Sequence, residues 1–205
     1  MKLDLPYAPA DSATFWAVFL GAFLAAAAGF AAGQVEAYFR RRERERTAAL
    51  LFGEVFSSLR TMLEMAKEIR GIGDPYGPFT MRMLRAARGE IDVYDRNRET
   101  LYDLRAGALR VGIHNLMMRL TLSLDAVIDG ADDIEATRRR AADDEITPTQ
   151  REQASNTLAQ LEERREQSFA FTLRTSDTIA PVMTNLSRIA KHDFQASVVA
   201  ARAAD

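Results

Sequence analysis

The hydrophobic pattern changes character along the chain, and its first stretch is the most extreme. Thr14 to Val35 runs for 22 positions without a charged residue. At 1.5 Å per residue such a helix reaches about 33 Å, against a hydrocarbon core of roughly 30 Å. Phe15 and Trp16 stand at one end, with Tyr38 and Phe39 at the other, where interfacial aromatics are expected. Ala25, Ala26, Ala27, Ala28, Ala31 and Ala32 are only mildly apolar, so insertion rests on Phe19, Leu20, Phe23, Leu24 and Phe30. A soluble helix of this length ordinarily keeps a polar face. A cleaved leader ordinarily places its positive charge before a shorter apolar core, whereas Lys2 is set here against Asp4 and Asp11 and the arginines come afterwards. The pattern predicts one membrane-spanning helix.

Beyond Val35 the period becomes that of half-buried helices. Leu51, Val55, Leu59, Met62, Ala66 and Ile69 recur at steps of three and four, widened by Phe52, Phe56 and Leu63. The spacing predicts that the helix continues to about residue 70, with Gly71 as a left-handed cap. Residues 71–80, rich in Gly and Pro, read as a loop. A short helix over 81–88 closed by Gly89 follows, then one capped by Asp92 through Leu104, with Tyr94, Asn97, Leu101, Leu104 and Ala108 inward.

Two longer periodic segments complete the chain. Leu109, Ile113, Leu116, Leu120, Leu124, Val127, Ala131 and Ile134 predict a helix over 106–142 with a narrow, coiled-coil-like seam. Thr147, Pro148 and Gln150 have the spacing of a capping box with Pro at the first helical position. They open a last helix over 148–192, with Ala154, Leu158, Leu161, Phe169, Thr172, Ile179, Val182, Leu186 and Ile189 inward and a kink at Pro181. The expected fold is all-α: a single transmembrane helix continuing into an elongated antiparallel bundle of three long helices and one or two short ones. Its segments are a tail over 1–13, the span over 14–35, an Arg-rich segment over 36–46, the bundle over 47–194 and a fraying tail over 195–205.

Charge adds orientation. Arg40, Arg41, Arg42, Arg44 and Arg46 follow the span directly. The positive-inside tendency then places residues 36–205 in the cytoplasm and the N-terminus outside. The same arginines suit anionic lipid headgroups, at about 1 kcal/mol each near the surface. Glu36, Glu43 and Glu45 interrupt the basic run, and the whole chain carries a formal charge of −2, so nucleic acid is not an expected partner. Within the span, Ala17, Gly21, Ala25, Gly29 and Gly33 recur every four residues, and Gly29 with Gly33 forms G-x-x-x-G. Such a ridge lets helix backbones approach closely in lipid, which points to a protein partner or a second copy.

Candidate chemistry is thin. The absence of Cys excludes disulfides and thiol chemistry. His114 and His192 are the only histidines and have no metal-ligand spacing. Gly71, Gly73 and Gly77 lack the preceding strand and the Gly-Lys-Ser/Thr of a phosphate loop. Asp125, Asp129, Asp132 and Asp133 share a helix, but a metal would need carboxylates from a second one, such as Glu152 or Glu163. No catalytic, cofactor or metal constellation is expected. The sequence therefore favours a non-enzymatic, membrane-anchored interaction or scaffold protein, or an accessory subunit of a membrane complex. The alternative is an effector or sensor whose cytoplasmic bundle is coupled to the span. An enzyme built on the acidic cluster ranks behind both.

Overall fold

The computed structural model describes residues 12–143 and 147–194. All the regular structure among them is helical: α1 (Ser12–Arg70), α2 (Pro78–Arg96), a 3-10 segment (Arg98–Asp103), α3 (Gly107–Ala141), α4 (Pro148–Ser176) and α5 (Ile179–Ala190). Residues 1–11 of the expected tail over 1–13, the expected tail over 195–205, and residues 144–146 lie outside the described residues. Two compact units divide between Glu43 and Arg44, inside α1.

The first unit is the apolar part of α1. Its large side chains stay exposed: Phe19 by 53%, Phe23 by 61% and Phe30 by 71%. Two helices, α1 and α3, are long and apolar enough to cross a membrane, and they differ in burial. None of the apolar window of α1 is buried, whereas α3 turns much of its window inward.

The second unit is organised by one continuous core. From α1 it takes Ala48, Ala49, Phe52, Val55, Phe56, Leu59, Leu63 and Ala66. The expected Phe52, Val55, Phe56, Leu59, Leu63 and Ala66 are all buried, whereas Leu51, Met62 and Ile69 are only half-buried. At Gly53 the approach is closest. A Cβ there would stand 2.1 Å from the Phe194 ring, so only glycine lets that ring lie on α1.

Gly71 does not end α1 in the left-handed conformation, since no described glycine has positive φ. Instead the last turn tightens, with Gly71 N–H donating to Glu68 and Ile72 N–H to Ile69. These three-residue bonds satisfy carbonyls that an α-helical end leaves open. The loop closes by Gly77, and Pro78 opens α2 at a position where its missing N–H costs nothing.

Two expected short helices prove to be one. α2 runs straight through Gly89, and Asp92 pairs with Arg88 rather than capping a helix. A mid-helix glycine costs about 1 kcal/mol. Burial of Met81, Leu84, Ala87, Ile91 and Tyr94 along one face outweighs it. Leu101 and Leu104 are buried as expected, while Ala108 is exposed.

α3 packs against α2, α4 and α5. Its seam is buried at Ile113, Leu116, Leu120, Leu124, Val127 and Ile134, and Met117 and Ser123 broaden it. The capping box at α4 is complete: the Thr147 hydroxyl accepts from Gln150 N–H at 3.3 Å, and the Gln150 side chain accepts from Thr147 N–H at 2.9 Å. Ala154, Leu158 and Leu161 are only half-buried, and full burial in α4 begins at Phe169.

At the expected proline the last helix is interrupted for two residues, Asp177 and Thr178, which both keep right-handed helical backbone. α4 ends at Ser176 and α5 starts at Ile179. The Pro181 ring would collide with the Asp177 carbonyl four residues earlier, so the helix stops there. Pro181 then occupies the first turn of α5, where no donor is needed.

Candidate functional site

In the first unit the five ridge positions lie along one exposed strip. Ala17, Gly21, Ala25, Gly29 and Gly33 are all exposed, and a Cβ on Gly21, Gly29 or Gly33 would meet no atom within 4 Å. Of the basic residues, Arg40 pairs with Glu36 at 3.2 Å on an open surface, a contact worth little. Arg41, Arg42 and Arg44 are exposed. Arg46 has a further task that the sequence did not disclose. Its Nε–H donates to the carbonyl of Ala190 at 3.1 Å, placing a cation on the C-terminus of α5. Beside it, Glu45 accepts from Arg105 through the backbone N–H at 3.1 Å and Nε at 3.3 Å.

The acidic cluster of α3 is matched by arginines of α2. Arg88 Nε–H donates to Asp125 at 2.7 Å, and Arg85 donates to Asp132 at 3.2 Å. Glu163 accepts from Gln167. Among the described residues no three of His, Cys, Asp and Glu gather as metal ligands. Asp125 and Asp132 are thus helix-to-helix pairing groups.

Tyr94, Asn97 and His114 form a local network at the end of α2. Tyr94 packs on Phe52, ring centroids 5.9 Å apart, and burial pushes its phenol pKa up. His114 Nδ1 lies 3.2 Å from the Tyr94 oxygen, and Nε2 lies 3.5 Å from Arg98. Asn97 donates to the Val93 carbonyl at 2.8 Å. The polar ends of all three are therefore satisfied within the fold. His192 stacks edge-on against Phe194 at 4.8 Å.

The loop between α1 and α2 carries an arrangement of another kind. Tyr76 meets Phe169 of α4 edge to face, centroids 5.9 Å apart. The Arg165 guanidinium lies over the Tyr76 ring at 3.7 Å, and that of Arg70 lies 5.0 Å from Tyr76 and 4.5 Å from Phe169. Arg70 also pairs with Glu166. Burial raises the Tyr76 pKa to about 12, against the opposing pull of Arg70. The sequence signal here was slight: one aromatic held between Pro75 and Gly77, six positions after an arginine. On the other side of the loop, Ile69, Ile72, Gly77, Pro78 and Phe79 line an open apolar groove of about 390 Å³. Ile72 is 85% exposed there, and the Thr80 hydroxyl is buried without a hydrogen-bond partner.

Comparison with protein-family models, with characterised proteins and with solved structures finds no match for this chain.

Proposed function

We propose that this chain is a non-enzymatic, membrane-anchored interaction protein: residues 14–35 span the bilayer and a cytoplasmic helical bundle presents surfaces to protein partners. The observation that carries this reading is the contrast between the two units. The first leaves an uncharged apolar helix wholly uncovered, while the second encloses its own core. An uncovered surface of that extent is costly in water and favourable in hydrocarbon. Arg40, Arg41, Arg42 and Arg44 then lie at the headgroups on the cytoplasmic side, with the N-terminus outside. The ridge from Ala17 to Gly33 is the surface for a second span, from another copy or from a larger complex.

Extraction of native membranes with alkaline carbonate tests the anchor. The full chain is expected to stay in the membrane pellet, and a chain with Phe19, Phe23 and Leu24 changed to Lys to leave it. Release of the unaltered chain would refute the reading. A coupled effector is the second reading. It is favoured by α1, which supplies both the apolar segment and a large part of the second unit's core.

A further inference from the structure

The cluster around Tyr76 holds more positive charge than its partners balance. Arg70 and Arg165 both lie against the Tyr76 ring, while Glu166 pairs with Arg70. Among the described residues no carboxylate stands at ion-pair distance from Arg165. Its stem lies along Gly130 of α3, where a Cβ would meet Arg165 Cβ at 3.6 Å. The half-buried guanidinium lies over the Tyr76 ring at 3.7 Å. Arg165 Nε–H is shielded from solvent and has no acceptor, while the Tyr76 hydroxyl, equally shielded, has the Glu166 carboxylate beside it. Buried donors are normally matched, and buried cations are normally paired. Cation–π contact supplies part of the missing attraction but gives Arg165 Nε–H no acceptor. The phenol, whose pKa burial raises further, is protonated at neutral pH and remains a donor.

We propose that Arg165, Arg70 and the Tyr76 hydroxyl form a binding site for an oxyanion, a phosphate or carboxylate group brought to the second unit. A guanidinium presents its donors in a fork that matches both groups. Glu166 is the internal counter-charge that holds Arg70 until the ligand arrives, and it competes with that ligand.

The test uses the full chain in lipid nanodiscs, with inorganic phosphate, acetate and chloride compared at equal ionic strength. The midpoint of thermal unfolding, followed by circular dichroism, reports binding through stabilisation of the folded state. Phosphate or acetate is expected to raise the midpoint above its value in chloride. Arg165→Met should lose that rise. Glu166→Gln should reach it at several-fold lower anion concentration. Arg165→Lys, which keeps the charge without the fork, should retain only part of it, and it serves if the Met variant does not fold. A response to phosphate alone assigns a phosphate ligand, and an equal response to acetate assigns a carboxylate. Midpoints no higher than in chloride for both parent and Glu166→Gln would overturn the proposal. So would a full rise in Arg165→Met, which would reduce the cluster to a loop clamp.

Discussion

Leu120 has no exposed surface, and its neighbours Leu116 and Leu124 on the same face of α3 are also buried. Truncating it removes apolar contact and leaves a cavity, so Leu120→Ala should cost about 2–5 kcal/mol. Arg119, the adjacent position, is exposed, yet its guanidinium lies 5.2 Å from the Phe171 ring. Arg119→Ala is expected to cost about 0.5–1 kcal/mol through that lost contact. Chemical unfolding of the full chain in micelles, followed by circular dichroism, should separate the two clearly. Equal costs would mean that the α3 seam is not a core. The same assay tests the closest approach in the fold. Gly53→Ala drives a methyl group into the Phe194 ring and should cost about 1–3 kcal/mol. Adding Phe194→Ala should then cost far less than the two single changes summed, because both act on one contact. Lys191 points the other way. It is the one described non-glycine residue with positive φ, at 53°. Lys191→Gly relieves that backbone and should stabilise the protein by about 1 kcal/mol, reduced by the loss of a cation at the α5 C-terminus.

At the scale of elements, the loop over 71–77 gives a pH signature. The Tyr76 phenol is raised to about 12 by burial, above an unfolded value near 10. Below about pH 10 both states hold the proton and the contribution of Tyr76 is fully present. Above it the unfolded chain ionises first, so stability is lost as pH rises from about 10 to 12. Tyr76→Phe should flatten this part of the stability profile, and phenolate absorbance of the folded protein should show Tyr76 and Tyr94 titrating late, with the Tyr76 part lost in the variant. A profile unchanged by the substitution would remove Tyr76 from its buried place. The break at Pro181 belongs to the same scale. One proline ends α4 by its clash four residues back and sits harmlessly in the first turn of α5.

At the scale of the whole molecule the prediction concerns sidedness. With the span proposed over 14–35, a reporter fused after Asp205 should be active only in the cytoplasm, and one at the N-terminus only outside. Changing Arg40, Arg41 and Arg42 to Glu should scramble that orientation. A carboxyl-terminal reporter active outside in the unaltered chain would remove the charge argument.

Local signals were legible in the sequence wherever they act within one helical turn. The capping box at Thr147 needs only residues three apart, and the long apolar periods of α1 and α3 needed no knowledge of their partners. The uncharged stretch over 14–35 is likewise a property of composition alone. The tertiary structure decided what depends on contacts distant in sequence. It carried α2 through Gly89, because burial on one face exceeds what a single glycine costs. It left Leu51, Met62 and Ile69 of α1 only half-buried and gave Asp125 and Asp132 of α3 their arginines on α2. Arg46 on the end of α5, and Arg165 over Tyr76, join residues separated by 144 and 89 positions. No local period encodes such pairings. They exist only once the helices have packed, because the free energy of each lies in burial and charge that the packed chain creates.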